Sequence, residues 1–177
     1  MIAPTLRNRG FMQLCWVVPD IRAAMASWTN IAGVGPFFLF NEVKYDNPHY
    51  RGRPTTCVDI TAAIAQAGEF QIELVCQNEE RPSVFRDIVP AGQTGFHHTA
   101  LYCKDYDAEV SAYTRAGAQV VFSGLMMGFR VCWVDASATL GCMVELIEAS
   151  EVADTVFAKI RAPAENWDGR DPVRSLS

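Results

Sequence analysis

The chain repeats itself, and the repeat restricts its fold more than any other feature. Gln13 to Asp20 (Gln-Leu-Cys-Trp-Val-Val-Pro-Asp) has the layout of His98 to Asp105 (His-Thr-Ala-Leu-Tyr-Cys-Lys-Asp). Gln71 to Val75 (Gln-Ile-Glu-Leu-Val) mirrors Met143 to Ile147 (Met-Val-Glu-Leu-Ile). Gln13 and His98 lie 85 residues apart, as do Asp20 and Asp105, and Trp28 and Tyr113. Glu73 and Glu145 lie 72 apart, so the first copy is 13 residues longer, most simply in the segment 44–54. Extra loop length in one copy is where a substrate-shaping insertion is expected. A pseudo-twofold pairing of the copies would bring four polar strand residues to one point: Gln13, Glu73, His98 and Glu145.

Each copy reads as β-α-β-β-β. In the first, the apolar run 11–18 is a strand, and Asp20 caps a helix with Ile21, Ala24, Met25, Trp28 and Ile31 at helical spacing, stopped by Gly33, Gly35 and Pro36. Strands follow at 37–43, 56–65 and 69–76, and the polar, Pro- and Gly-containing segment 44–54 reads as a loop. In the second, a strand at 96–103 precedes a helix capped by Asp105, then strands at 120–122, 129–135 and 142–148. The expected organisation is an arm at 1–10, modules at 11–77 and 96–149 joined by a linker at 78–95, and a closing helix with an extended or partly disordered tail at 150–177. The fold class is α+β: two tandem βαβββ modules forming a half-open mixed β-barrel or cleft, with helices on the outer face.

Strand alternation assigns faces. Gln13, Cys15 and Val17 share the cavity face with His98, Ala100 and Tyr102, as do Gln71 with Glu73 and Met143 with Glu145. On simple alternation His97 points the other way. Two carboxylates, an imidazole and an amide oxygen make an N/O set for a divalent ion, and two Glu balance its charge. His49, Tyr50 and Arg51, in the inserted segment, are candidates for holding substrate, with Asp59, Tyr102 and Met126 on the cavity wall.

These motifs resemble the vicinal oxygen chelate superfamily, the glyoxalase/bleomycin resistance/dioxygenase fold, over residues 11–149. The residues that carry the resemblance are Val17-Val18-Pro19-Asp20, the Gly-Phe-His-His-Thr-Ala start of the second copy, and its Leu-Gly-Cys-Met-Val-Glu-Leu-Ile ending. The resemblance implies metal ligation by Gln13, Glu73, His98 and Glu145, an order similar to that of animal-type glyoxalase I and related to methylmalonyl-CoA epimerase. Val17 stands where glyoxalase I has a glutathione-binding arginine. The implied activity is that of a metal-dependent isomerase, epimerase or lyase, with Glu145 and Glu73 as the catalytic carboxylates. The ion is left open among zinc, nickel, cobalt, manganese and iron. The alternatives are a ring-cleaving dioxygenase, disfavoured by the single histidine in the quartet, and a metal-free binder of the bleomycin-resistance type.

Composition narrows the partners. The net charge of −5 speaks against nucleic acid or an anionic membrane, and no apolar run reaches the length of a membrane span. The run 11–18 follows Arg7 and Arg9, but no small-residue cleavage site follows it, so it is not read as a signal sequence. Six cysteines lie singly in apolar stretches and read as free thiols of a reducing compartment, hence a cytoplasmic protein. The expected substrate is a small molecule with an apolar part, and exposed sheet edges with an aromatic tail point to a homodimer.

Overall fold

The computed structural model describes residues 10–176. The expected N-terminal arm lies outside them except for Gly10. The first copy forms β1 (Phe11–Val17), α1 (Ile21–Ala32), β2 (Phe37–Phe40), β3 (Asp46–Tyr50), β4 (Arg53–Pro54), β5 (Ile60–Ala67) and β6 (Phe70–Gln77). The second forms β7 (Gly95–Cys103), α2 (Tyr106–Arg115), β8 (Gln119–Met126), β9 (Phe129–Asp135), the short α3 (Ser137–Leu140) and β10 (Met143–Glu148). A closing helix, α4 (Glu151–Arg161), and a strand, β11 (Val173–Arg174), complete the chain.

The helices begin and end where the sequence places their caps. Asp20 Oδ1 accepts from the backbone N–H groups of Arg22 and Ala23, and Gly33 ends α1 at a φ of 68°. The apolar face of α1, with Met25 fully inside, packs on Leu14, Trp16, Ile72 and Leu74. Asp105 caps α2 in the same way, and α2 covers Leu101, Cys132, Val134 and Leu146. Each helix thus seals the outer face of its own four strands. The inner faces share a third, larger core containing Cys15, Val75, Ala100, Trp133 and Ile147.

All strands of the described residues join one open, mixed sheet in the order β11-β2-β5-β6-β1-β7-β10-β9-β8-β3-β4. β1 and β7 meet antiparallel at its centre, flanked by β6 and β10, each parallel to its neighbour. This is the half-open, helix-backed architecture expected from the repeat.

The structure corrects two expectations. The segment 44–54 is not a plain loop: it contains the hairpin β3–β4, which leaves the first copy and pairs with β8 of the second. Arg51 and Gly52 both have positive φ, 50° and 75°, as a tight hairpin turn requires. Pro48 is tolerated because the β3–β8 register is irregular between Asp46 and His49. The tail is also ordered. β11 pairs with β2, and the Trp167 indole donates to the Arg170 carbonyl at 2.6 Å. The indole lies over Gly35, where a Cβ would sit 2.5 Å from two ring carbons.

Gly35→Ala should therefore push the indole off and release β11. Such overpacking costs about 1–3 kcal/mol, and trypsin should cut after Arg170 and Arg174 roughly tenfold faster. An unchanged cleavage rate would contradict this account of the tail.

Candidate functional site

Four adjacent strands carry the polar cluster. Their register sets two rows across β6, β1, β7 and β10: Glu73, Cys15, His98 and Met143, then Gln71, Gln13, Ala100 and Glu145. The rows lie two residues apart along each strand, so all eight side chains leave one face. Rotation about the β1–β7 seam exchanges His98 with Gln13, Glu73 with Glu145 and Cys15 with Ala100. Glu73 and Glu145 stand three strand spacings apart, about 14 Å on a flat sheet. The curl of the sheet and the length of the side chains close that gap: both carboxylates and His98 offer atoms within 4.8 Å of one another.

His98 Nε2 lies 3.2 Å from Glu73 Oε2 and 3.1 Å from Glu145 Oε2. These are ion-pair distances without hydrogen-bond alignment. His98 Nε2 and Glu73 Oε2 are both buried, and neither has a well-directed hydrogen-bond partner. Gln13, also buried, donates from Nε2 to Gln71 Oε1 at 3.3 Å, which turns its own Oε1 away from that bond.

His97 is not on the opposite face. The β1–β7 register steps from Cys15–His98 to Trp16–Phe96, so His97 is an extra, bulged residue that breaks the alternation. It is fully buried, packs on Phe85, and places Nδ1 2.8 Å from His98 Nδ1. Its Nε2 lies 2.9 Å from the Val84 carbonyl, which can only accept, so His97 Nε2 carries hydrogen. In the neutral ring His97 Nδ1 is then an acceptor, and His98 Nδ1 must be the donor. Neutral His98 consequently presents its Nε2 lone pair to the carboxylates. The Trp133 indole N–H approaches the same His98 Nδ1 at the longer distance of 3.2 Å.

The electrostatics agree with this assignment for His97 and, without a metal, add a second proton to His98, on Nε2. Burial, reinforced by the charge of His98, pushes His97 down to about 3 against the pull of the Val84 carbonyl, so His97 is neutral. Burial also disfavours charge on His98, but the short contacts to Glu145 and Glu73 outweigh it and hold His98 at about 9. Burial pushes Glu145 above the ordinary carboxylate range, with His98 opposing and Glu73 reinforcing. Burial and then the Glu73 charge push the Cys15 thiol well up, so it stays protonated. A second buried group, Cys15 with His97 and His98, is thereby a poor ligand set: its thiol is neutral, and both ring nitrogens of His97 are engaged.

The cluster lies in a cavity of about 370 Å³ lined by Gln13, Glu73 and Glu145 and walled mostly by apolar side chains. Val156 and Phe157 of α4 line it too. Of the six substrate-holding candidates, Met126 reaches this cavity. His49 is exposed and bonds the Asn47 carbonyl. Tyr50 donates to Asp87, which also holds Arg51 at 2.9 Å, so this arginine faces its own carboxylate and not the cavity. Asp59 is exposed and accepts from Asn78. The Tyr102 hydroxyl accepts from the Ser150 N–H and donates to Asp154, anchoring the start of α4. Sequence reasoning missed His97 and the α4 wall. The His-His doublet was a signal for the first; the apolar face of the closing helix, with Val156 and Phe157, was one for the second.

Comparison with known proteins follows the same lines. The family model described as the Glyoxalase/Bleomycin resistance protein/Dioxygenase superfamily matches residues 12–133. Methylmalonyl-CoA epimerase from Mycobacterium tuberculosis is 21% identical, covering 87% of this chain and 97% of its own, with a TM-score of 0.59. A hypothetical protein from Bacillus halodurans C-125 is 17% identical, covering 82% and 97%, also at 0.59. A methylmalonyl-CoA epimerase in complex with methylmalonyl-CoA and ammonium is 17% identical, covering 81% and 96%, at 0.52. At these identities the likeness is one of fold. No curated protein matches the sequence.

The pKa of His98 in the folded chain, about 9, exceeds the ordinary 6.5. In chelator-stripped protein its contribution to stability is therefore fully present below about 6.5 and is lost as pH rises through about 9. Histidine NMR of that protein should show one ring titrating near 9. A His98 signal titrating near 6.5 would contradict the contact with the two carboxylates.

Proposed function

Because the chain belongs to the glyoxalase/bleomycin resistance protein/dioxygenase superfamily, we propose that it is an enzyme that moves a proton beside the carbonyl of a small molecule. Members of this superfamily typically bind a divalent metal, and in our reading Gln13, Glu73, His98 and Glu145 hold it here. One observation carries the reading. His98 Nε2 is buried between carboxylates from opposite halves of the chain, and both it and Glu73 Oε2 lack a directed partner. A divalent ion satisfies such orphaned atoms, and imidazole nitrogen with carboxylate and amide oxygens suits zinc, nickel, cobalt, manganese or iron. The bound ion would polarise the substrate carbonyl and stabilise developing negative charge by several kcal/mol.

The chain's own residues supply the rest. His97 and the Val84 carbonyl fix the ring of His98 so that Nε2 is the ligating atom. Glu145, raised by burial, is a carboxylate poised to accept a proton closer to neutral pH. Glu73 reaches the same point from the other side of the seam and is placed to return a proton to the opposite face. The apolar walls exclude water from the carbon being exchanged. Cytoplasmic location and a homodimer remain part of this proposal.

Two other readings are weaker. Oxygen chemistry of the dioxygenase type favours two histidines and one carboxylate, whereas His97 has both nitrogens engaged, leaving His98 alone in the cluster. The apolar cavity favours a metal-free binder, but a binder has no use for converging buried carboxylates.

Protein purified without chelator should hold about one divalent ion per chain, lost in His98→Ala and Glu145→Ala. Glu145→Gln should fold normally and lose at least about a hundredfold in substrate–solvent proton exchange. Near-normal exchange in that variant would remove Glu145 from the role. No metal uptake by correctly folded wild-type protein would overturn the enzyme reading.

A further inference from the structure

The cavity identifies the chemical class of its occupant. Its size comes first. A sealed apolar cavity of about 150 Å³ accommodates benzene. The cavity here measures about 370 Å³, which on the same scale corresponds to about 15 non-hydrogen atoms. An occupant of that size is a one- or two-ring molecule, and the nucleotide portion of a coenzyme A ester would have to lie outside.

Charge argues against such a nucleotide at the mouth. Among the described residues lining the cavity, the carboxylates are Glu42, Asp46, Glu73 and Glu145, and the only cation is Lys44. Lys44 sits 3.1 Å from Glu42 with about three quarters of its side chain in solvent. A divalent ion would balance Glu73 and Glu145, and Lys44 would balance Glu42, leaving Asp46 as a net negative charge at the rim. Phosphate groups are commonly held by arginine forks or lysine ammonium groups. Two arginines that could turn toward a phosphate are already held: Arg51 by Asp87 at 2.9 Å and Arg81 by Glu79 at 2.9 Å.

The walls specify what does fit. Phe40, Ile64, Phe129, Trp133, Val156 and Phe157 surround the space. Trp133 meets Tyr45 and Phe122 edge-on, with ring centroids 6.0 and 5.3 Å apart, so the aromatic wall is rigid. Met126 and the exposed Met127 form an adaptable lip at one side. At the floor the polar groups converge on one point, so the ligand needs oxygen at one end and apolar surface elsewhere.

We propose that this cavity takes an uncharged, largely aromatic ketone with an oxygen-bearing carbon next to the carbonyl, and not a coenzyme A thioester. The inference rests on the proton-transfer reading of the same site and names its substrate class. The step is a proton exchange without redox change. A carboxylate removes the proton from the oxygen-bearing carbon, the C–H electron pair forms the C=C bond of an enediolate as the carbonyl π pair moves onto its oxygen, and these shifts reverse when a proton returns to that carbon from either face. No other reactant is consumed.

Benzil and benzoin serve as probes, with methylmalonyl-CoA as the competing class. Binding is followed by calorimetry and by quenching of tryptophan fluorescence, in zinc-loaded and chelator-stripped wild type and in Val156→Trp, which fills the cavity from α4, off the strands that carry the carboxylates. Benzil should bind at least about a hundredfold more tightly than methylmalonyl-CoA. Val156→Trp should weaken it at least about tenfold without changing zinc content. Zinc-loaded enzyme should exchange the benzoin carbinol proton with deuterium. Methylmalonyl-CoA binding as tightly as benzil, or benzil binding unaffected by Val156→Trp, would overturn the proposal. Benzil binding at this cavity without benzoin exchange would uphold the ligand class and defeat the proton-transfer reading. Exchange on methylmalonyl-CoA without benzil binding would do the reverse.

Discussion

The antiparallel seam between β1 and β7 is the constraint on which everything else rests. It joins the two copies into one sheet and is the axis about which their polar residues are exchanged. The seam carries two bulges. His97 is the extra residue on β7, and Met12 is the extra residue on β1, between the pairs Phe11–Leu101 and Gln13–Ala100. They occupy equivalent places in the two copies, so the irregularity belongs to the repeat. A bulge bends and twists its strand, and two bulges related by the axis curl both halves toward the same face. That curl brings Glu73 and Glu145 within reach of His98.

Burying this cluster costs free energy, and the fold offsets the cost in stages. A lone buried carboxylate or imidazolium is strongly disfavoured. Two carboxylates against one protonated imidazole are less so, and the high pKa of His98 reflects that compensation. The arrangement still leaves net negative charge and two undirected polar atoms. A divalent cation replacing the His98 proton would remove both defects. His97 contributes from behind, because the Val84 carbonyl fixes which of its nitrogens carries hydrogen. The segment holding Val84 joins the two copies and packs Val84, Phe85 and Val89 into the shared core. The connection between the copies therefore takes part in the site.

Much of this was legible in the sequence, and the misses share a cause. Matched spacing of Gln13 with His98 and of Glu73 with Glu145 encoded the axis, and strand alternation placed Gln13, Cys15, Glu73, His98 and Glu145 on one face. Asp20, Gly33 and Asp105 marked helix ends because capping is local chemistry. The reading failed where geometry depends on non-local pairing. His97 was assigned by alternation, which a bulge suspends. The segment 44–54 resembled a loop because Pro48 and Gly52 disfavour an isolated strand, yet β8 of the other copy offers a partner. Arg51 looked like a substrate clamp because Asp87, which neutralises it, lies far along the chain. The tail looked unstructured because the partner of Trp167 is a glycine that shows no sign of the contact.

The central claim is that the axis assembles a nitrogen–oxygen cation site from Gln13, Glu73, His98 and Glu145. X-ray absorption fine structure of the protein loaded with equimolar zinc tests it most directly. The account predicts a shell of light atoms at about 2.0–2.2 Å with the outer scattering of a single imidazole. A sulfur shell at about 2.3 Å, or the scattering of two imidazoles, would place the ion with Cys15, His97 and His98 and contradict the account.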